Sequence, residues 1–184
     1  MLVNAHDWTD AQALRVRQIF FETSDKKSFV SEAQKNTFLD NYLACYLRES
    51  KQFCFLETSD FVNGYIVGSK SSESAVKKFA YYEIFQDCLI DYPAHLHINC
   101  TESAQGSGVG SKLLNKFKTT LEESNVCGLH IITSPEARNI SFYKKNGFDF
   151  QITRNFKGIA LTLLGISLHP IDKITQLPET QTLI

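Results

Sequence analysis

The stretch Gln105-Gly106-Ser107-Gly108-Val109-Gly110-Ser111-Lys112-Leu113-Leu114 constrains this chain more than any other. Three alternating glycines stand between an apolar run, Leu96-His97-Ile98-Asn99-Cys100, and the helical stripe Leu113, Leu114, Phe117 and Leu121. The order is strand, glycine loop, helix. Such a turn aims several backbone N–H groups and the positive end of a helix dipole at one spot, which suits a phosphate. Glycine tolerates the left-handed conformations the turn demands and keeps Cβ atoms out of a ligand's way.

Two common nucleotide loops fail against these residues. A Walker A loop puts Lys directly after its last glycine and a hydroxyl residue after the Lys. Here Lys112 comes two residues after Gly110, and Leu113 follows it. A Rossmann fingerprint reads G-x-G-x-x-G after the first strand of the fold. Here the spacing is G-x-G-x-G, and the loop comes after residue 100. The bland alternative is a turn that only packs a helix against its sheet. Against it, three alternating glycines cost conformational entropy for little packing return.

At 184 residues and 43% apolar composition the chain supports one sizeable core. We expect a single domain over residues 1–168 and a loose tail over 169–184, rich in Thr and Gln and carrying two prolines. The net charge of −1 gives no broad basic face, which argues against a nucleic-acid partner. No leader pattern stands at the N-terminus and no apolar run approaches the ~18 residues of a membrane span, so a cytoplasmic location is expected. The five cysteines, Cys45, Cys54, Cys88, Cys100 and Cys127, form no C-x-x-C pair and fall in apolar segments. They read as reduced core thiols without a metal.

Apolar periodicity predicts helices over 9–22 and 31–49, then a hairpin from 52–57 and 64–68. Residues 75–89 are ambiguous and read as helix. A strand over 94–100, the glycine loop and a helix over 108–124 follow. A strand over 129–133, a helix over 138–146 closed by Gly147, and strands over 148–153 and 156–168 complete the pattern. This is a mixed α/β (α+β) sheet with helices on both faces.

Gln105, Gly108 and Gly110 in this setting resemble the acyl-CoA loop of the Gcn5-related N-acetyltransferase (GNAT) superfamily. A second signature of that family, Phe-Tyr-x-Lys-x-Gly-Phe, is matched by Phe142-Tyr143-Lys144-Lys145-Asn146-Gly147-Phe148. The run His95-Leu96-His97-Ile98-Asn99 is similar to a subgroup with His-Leu-His-Ile-Asp, in which acetyltransferase-like domains occur beside glycosidases. The resemblance covers roughly residues 52–168. Departures are Glu102 where the family often has Pro, Ala104 where an aromatic is common, and Asn99 for the subgroup Asp. Glu136 stands where an Asn often bonds pantetheine, with Asn139 one helical turn away as a substitute.

The resemblance implies a centrally splayed sheet and acetyl-CoA as cosubstrate. Pyrophosphate would rest on Gln105, Gly106, Ser107, Gly108, Val109, Gly110 and Ser111, and pantetheine on Ile98, Asn99, Cys100 and Asn139. A backbone N–H near Cys100 would polarise the thioester carbonyl. Tyr143 matches the family tyrosine that protonates the leaving thiolate. His97 is the candidate proton relay, because an imidazole titrates near neutrality; a structural histidine is the alternative. Glu102, acting through water, is a weaker candidate. The implied partner is a primary amine on a small molecule or peptide, and a homodimer is left open. A CoA-binding or interaction module with little catalysis is the competing reading.

Overall fold

The computed structural model describes residues 1–168; the tail expected over 169–184 lies outside the described residues. Strand β1 (Leu2–Asn4) leads through a short 3-10 turn to helix α1 (Asp10–Thr23). Thr9 and Gln12 cap that helix reciprocally, each side chain holding the other's backbone N–H. Helix α2 (Glu32–Leu39) starts on Ser31, whose hydroxyl accepts from the Gln34 N–H at 3.2 Å. A π-turn over Asp40–Ala44 joins it to α3 (Cys45–Glu49). The single helix expected over 31–49 therefore carries one widened turn, which bears Tyr42.

Strands β2 (Phe55–Thr58) and β3 (Val62–Ser69) form the expected hairpin. β2 starts later than its apolar run because Lys51–Phe53 is a 3-10 turn. The helix expected over 75–89 is broken. Helix α4 (Glu73–Lys78) stops at Phe79, whose backbone is extended, and Ala80–Phe85 is 3-10. Aromatic side chains at 79, 81 and 82 give that stretch little helical preference; their rings pack on one another, and Tyr82 is buried. Strand β4 (Ala94–Cys100), helix α5 (Val109–Glu123), strand β5 (Gly128–Thr133), helix α6 (Ile140–Lys145) and the hairpin β6 (Phe150–Phe156) and β7 (Ile159–Ser167) follow.

The strands make one sheet in the order β1-β2-β3-β4-β5-β7-β6. Every neighbouring pair is antiparallel except β4–β5, which α5 connects as a parallel crossover. Strand alternation divides the core between two faces. On one face Phe55, Ile66 and Leu96 meet Leu113, Leu114, Phe117 and Leu121 of α5, all four of which are fully buried. Each such side chain contributes roughly 1.5–3 kcal/mol. On the other, Leu56, Tyr65 and Val67 meet Val16, Ile19 and Phe20 of α1 and Leu43 and Tyr46 of the second helical segment.

The cysteines are all free, and Cys45, Cys54 and Cys88 are buried as expected. Cys100 is only half-buried and Cys127 is exposed, so the core reading fails for Cys127. Its thiol lies near the Ile90 and Asp91 carbonyls at the surface. No helix among the described residues is long and apolar enough to cross a membrane.

Candidate active site

The sheet opens in its middle. β4 stays in register with β3 through Cys100, and β5 stays in register with β7 through Thr133. Between β4 and β5 only Ala94↔Leu129 and His95↔His130 pair. Each strand follows its outer partner, so the seam parts beyond the two histidines. A cavity of about 190 Å³ fills the parting. Leu96, His97, Ile98 and Asn99 line it from β4, and Ile131 and Ile132 from β5.

Backbone direction in the seam follows from one hydrogen bond. Thr101 N–H donates to the Asn63 carbonyl at 2.8 Å, across the β3 side. In an antiparallel ladder successive residues alternate between neighbours. Cys100, Ile98 and Leu96 therefore turn their N–H and C=O groups toward the gap, where β5 no longer takes them. Side-chain alternation also holds: Leu96, Ile98 and Cys100 pack toward α5, while His95 and His97 pack toward Tyr46.

The glycine loop leaves the end of β4. Gly106 and Gly108 have φ of +76° and +89°, a region that costs other residues strain. A Cβ on either would meet nothing within 4 Å, so the space over them is open. Gly108 caps α5 with no side-chain bond, and the first intrahelical bond is Lys112 N–H to the Gly108 carbonyl. The N–H groups of Gly108, Val109, Gly110 and Ser111 are the four that a helix start leaves without a helical acceptor. Ser107 differs from expectation. Its N–H and hydroxyl both turn back to the Ala104 carbonyl, at 3.3 and 2.6 Å, so it is no open donor. Gly110 has a packing role: a Cβ there would lie 3.1 Å from the Phe142 ring. Lys112, which a Walker loop would turn to phosphate, pairs with Glu57 at 3.1 Å.

Tyr143 and Asn139 line the same cavity from the α6 side. Tyr143 is 4% exposed, and burial raises its pKa above the ordinary tyrosine value, so the phenol is protonated at neutral pH. Asn139 precedes α6 without capping it, its Oδ1 accepting a long bond, 3.5 Å, from Thr133. Asn99 lines the cavity too, with its amide donating to the Tyr65 hydroxyl at 2.8 Å. Burial pushes the Cys100 thiol up to about 11, which keeps it protonated. Gln105 and Glu102 are exposed on the loop and neither lines the cavity.

Histidines and aromatic rings close the far end. His97 lines the cavity and packs against Tyr42 and Tyr46, with ring centroids 5.4 and 5.5 Å away. Burial lowers its pKa to about 4, so it is a neutral imidazole at pH 7 and a weak base. His95 is locked behind it. The Ser72 hydroxyl donates to the Pro93 carbonyl at 2.7 Å and so accepts from His95 Nδ1–H at 3.2 Å. That leaves Nε2 to accept from the Tyr46 hydroxyl at 3.0 Å. His130, which the sequence pattern did not single out, donates from Nδ1 to the Tyr92 carbonyl at 2.6 Å. Its Nε2 is buried without a partner among the described residues. Burial lowers the His130 pKa to about 4, while the bond to Tyr92 opposes the shift. No group of three His, Cys, Asp or Glu among the described residues is placed to hold a metal ion.

Residues 50–149 match the family described as the acetyltransferase (GNAT) domain, which is more than half of the chain. The chain belongs to the GNAT acetyltransferase family. Among solved structures, SsHAT is 18% identical over 91% of this chain and 97% of its own, with a TM-score of 0.68. Ard1 from Thermoplasma volcanium is 19% identical over 91% and 97%, with a TM-score of 0.59. The ribosomal-protein-alanine N-acetyltransferase from Brucella melitensis is 17% identical over 91% and 99%, with a TM-score of 0.56. At such identities the likeness speaks to the fold. It bears out the mixed, centrally splayed sheet that the glycine loop and the Phe142–Phe148 run implied for a GNAT chain.

The residues of this GNAT site fit an acyl-CoA. Four open N–H groups at a helix start suit a pyrophosphate, and an unpaired strand edge suits the amides of pantetheine. Leu96, Ile131, Ile132 and Phe79 also line the gap, although no sequence motif marked them as site residues. A signal for the isoleucines was present: strand 129–133 faces β4 across the seam.

Proposed function

We propose that the chain is an N-acetyltransferase that moves an acetyl group from acetyl-CoA to a primary amine by direct attack. The observation that carries this reading is convergence on one gap. The free edge of β4, Asn139 and Tyr143 border the parting between β4 and β5, and Gly110 of the glycine loop sits beside Cys100 at the open end of β4.

Gly108, Val109, Gly110 and Ser111 would hold the pyrophosphate through their N–H groups, with the open space over Gly106 and Gly108 admitting it. Ile98 and Cys100 would pair with pantetheine, Asn139 would add a side-chain contact, and the Cys100 N–H would polarise the acyl carbonyl. Acetyl-CoA supplies the thioester when bound. The amine lone pair forms the new C–N bond, the C–S bond breaks, and its electron pair leaves on sulfur. Tyr143 gives its proton to that sulfur and takes one back from the nitrogen, so the protons balance. Its raised pKa keeps it a donor throughout the working range. His97 contributes a neutral acceptor for an amine N–H and does not store a proton, because its pKa lies near 4.

The weakness of His97 as a base, and the lack of any carboxylate lining the cavity among the described residues, favour a second reading: a module that binds CoA without turning it over. Thiol release from acetyl-CoA, measured with and without a panel of primary amines, separates the two. Amine-dependent release supports transfer. Acetyl-CoA binding with no release on any amine supports the binding module.

A further inference from the structure

We propose that the acceptor end of the cavity takes an arylalkylamine: a primary amine on an aromatic body that carries no second charge. This rests on the acetyl-transfer reading above and narrows it to a substrate class. Among the described residues, no Asp, Glu, Lys or Arg lines the cavity. The charged residues of the 73–85 segment, Glu73, Lys77, Lys78 and Glu83, are exposed at the surface. Lys78 and Glu49 line a second, much smaller pocket of about 20 Å³ that shares only Phe79 and His95 with the first. A second ammonium or a carboxylate on the acceptor would be buried here without a counter-charge, which is unfavourable.

What the cavity offers instead is a wall of rings. Phe79 stacks on Tyr81 at 5.5 Å and on Tyr42 at 5.3 Å, and Tyr81 meets Tyr82 at 5.2 Å. Leu96, Ile131 and Ile132 complete the lining with aliphatic surface. An aromatic guest gains offset and edge contacts from such a wall that an alkyl chain does not. The wall is held in place. The Arg154 guanidinium clamps the Asp87 carboxylate with two bonds of 2.5 and 2.6 Å and also donates to the Ile84 carbonyl. Taking the amine out of water among neutral rings favours its uncharged form, which is the nucleophile.

The test uses the full chain with acetyl-CoA and compares tyramine and 2-phenylethylamine with spermidine, phenylalanine and a lysine peptide. Acetyl-CoA binding is followed separately by the rise in Tm. The expected result is a kcat/KM for tyramine at least 100-fold above that for spermidine or phenylalanine. Tyr81→Leu and Phe79→Leu should each raise the tyramine KM about tenfold and leave the acetyl-CoA-induced rise in Tm unchanged. If spermidine, phenylalanine or the peptide is used as well as tyramine, the arylalkylamine assignment is wrong while acetyl transfer stands. If acetyl-CoA binds but no amine is turned over, tyramine is titrated into the acetyl-CoA complex: binding tighter than spermidine upholds the assignment, and equal or no binding overturns it. No acetyl-CoA binding at all removes the acetyl-transfer reading and this one with it.

Discussion

Tyr143 and Gly110 show how two distant sequence runs make one site. Gly110 belongs to the loop and Phe142 to the C-terminal signature, and the missing Cβ of the one is filled by the ring of the other. That contact sets α6 against the start of α5 and with it the neighbouring Tyr143, which is buried near the Cys100 thiol. A phenol in this position acts through its hydroxyl alone, because the ring is already packed against Phe142 and Phe148 at 5.2 and 5.1 Å. Tyr143→Phe keeps that packing and removes the proton donor. We expect kcat to fall by about 10²-fold, the lower range for a general acid, with the KM for acetyl-CoA within about twofold of the parent. Steady-state thiol release at saturating amine measures both. A kcat within threefold of the parent would remove Tyr143 from the chemistry.

At the scale of elements, α5 is the part that the sequence described best. Its stripe, its start after Gly108 and the strand Ala94–Cys100 ahead of it all stand where periodicity put them. Gly147 ends α6 with φ at +95°, as its place after a polar run suggested. The failures have physical reasons. β1 has three residues, too few to show alternation, and exists only because β2 offers an edge. The break at Phe79 is a tertiary effect: its ring stacks on Tyr42 from another helical segment, which no local propensity reports. His130 escaped notice because its role depends on where β4 and β5 part, a matter of register with their outer neighbours. The loop allows a prediction whose two parts have opposite signs. Ser111→Asp places a carboxylate in the first turn of α5, where the helix dipole favours it by about 0.3–1 kcal/mol. The Tm without ligand should rise by roughly 1–3 °C. The same charge should repel a pyrophosphate and abolish the rise in Tm that acetyl-CoA gives the parent. Differential scanning fluorimetry reads both. A variant that keeps the full acetyl-CoA shift would move the phosphate site away from the loop.

For the whole molecule, the seam between β4 and β5 concentrates the cost of function. Three histidines lie around its closed end, and burial keeps each neutral: His97 and His130 down to about 4, and His95 lowered as well, with His130 and His97 adding repulsion. Their surroundings are Tyr42 and Tyr46 from the helical segment, Ser72, Tyr82 and the Tyr92 carbonyl, with no carboxylate in hydrogen-bonding contact with a ring nitrogen. In the unfolded chain a histidine titrates near 6.5. Below that value the unfolded state takes up protons that the folded state refuses, so stability falls as pH drops from about 6.5 toward 4 and is complete above it. The loss is on the order of 3 kcal/mol for each of His97 and His130. Urea unfolding at pH 7.5, 6 and 5 should show a plateau above neutrality and a steep decline below 6. A constant midpoint down to pH 5 would mean that these imidazoles are already charged or solvated in the folded chain. The same parted seam is where acetyl-CoA would bind. The most direct test is titration of acetyl-CoA into the protein at pH 7.5 by calorimetry. The site described here predicts saturable one-to-one binding. At a hundredfold excess over the Kd, that binding should stabilise the fold by about 2.7 kcal/mol. No heat and no stabilisation at millimolar acetyl-CoA would contradict it.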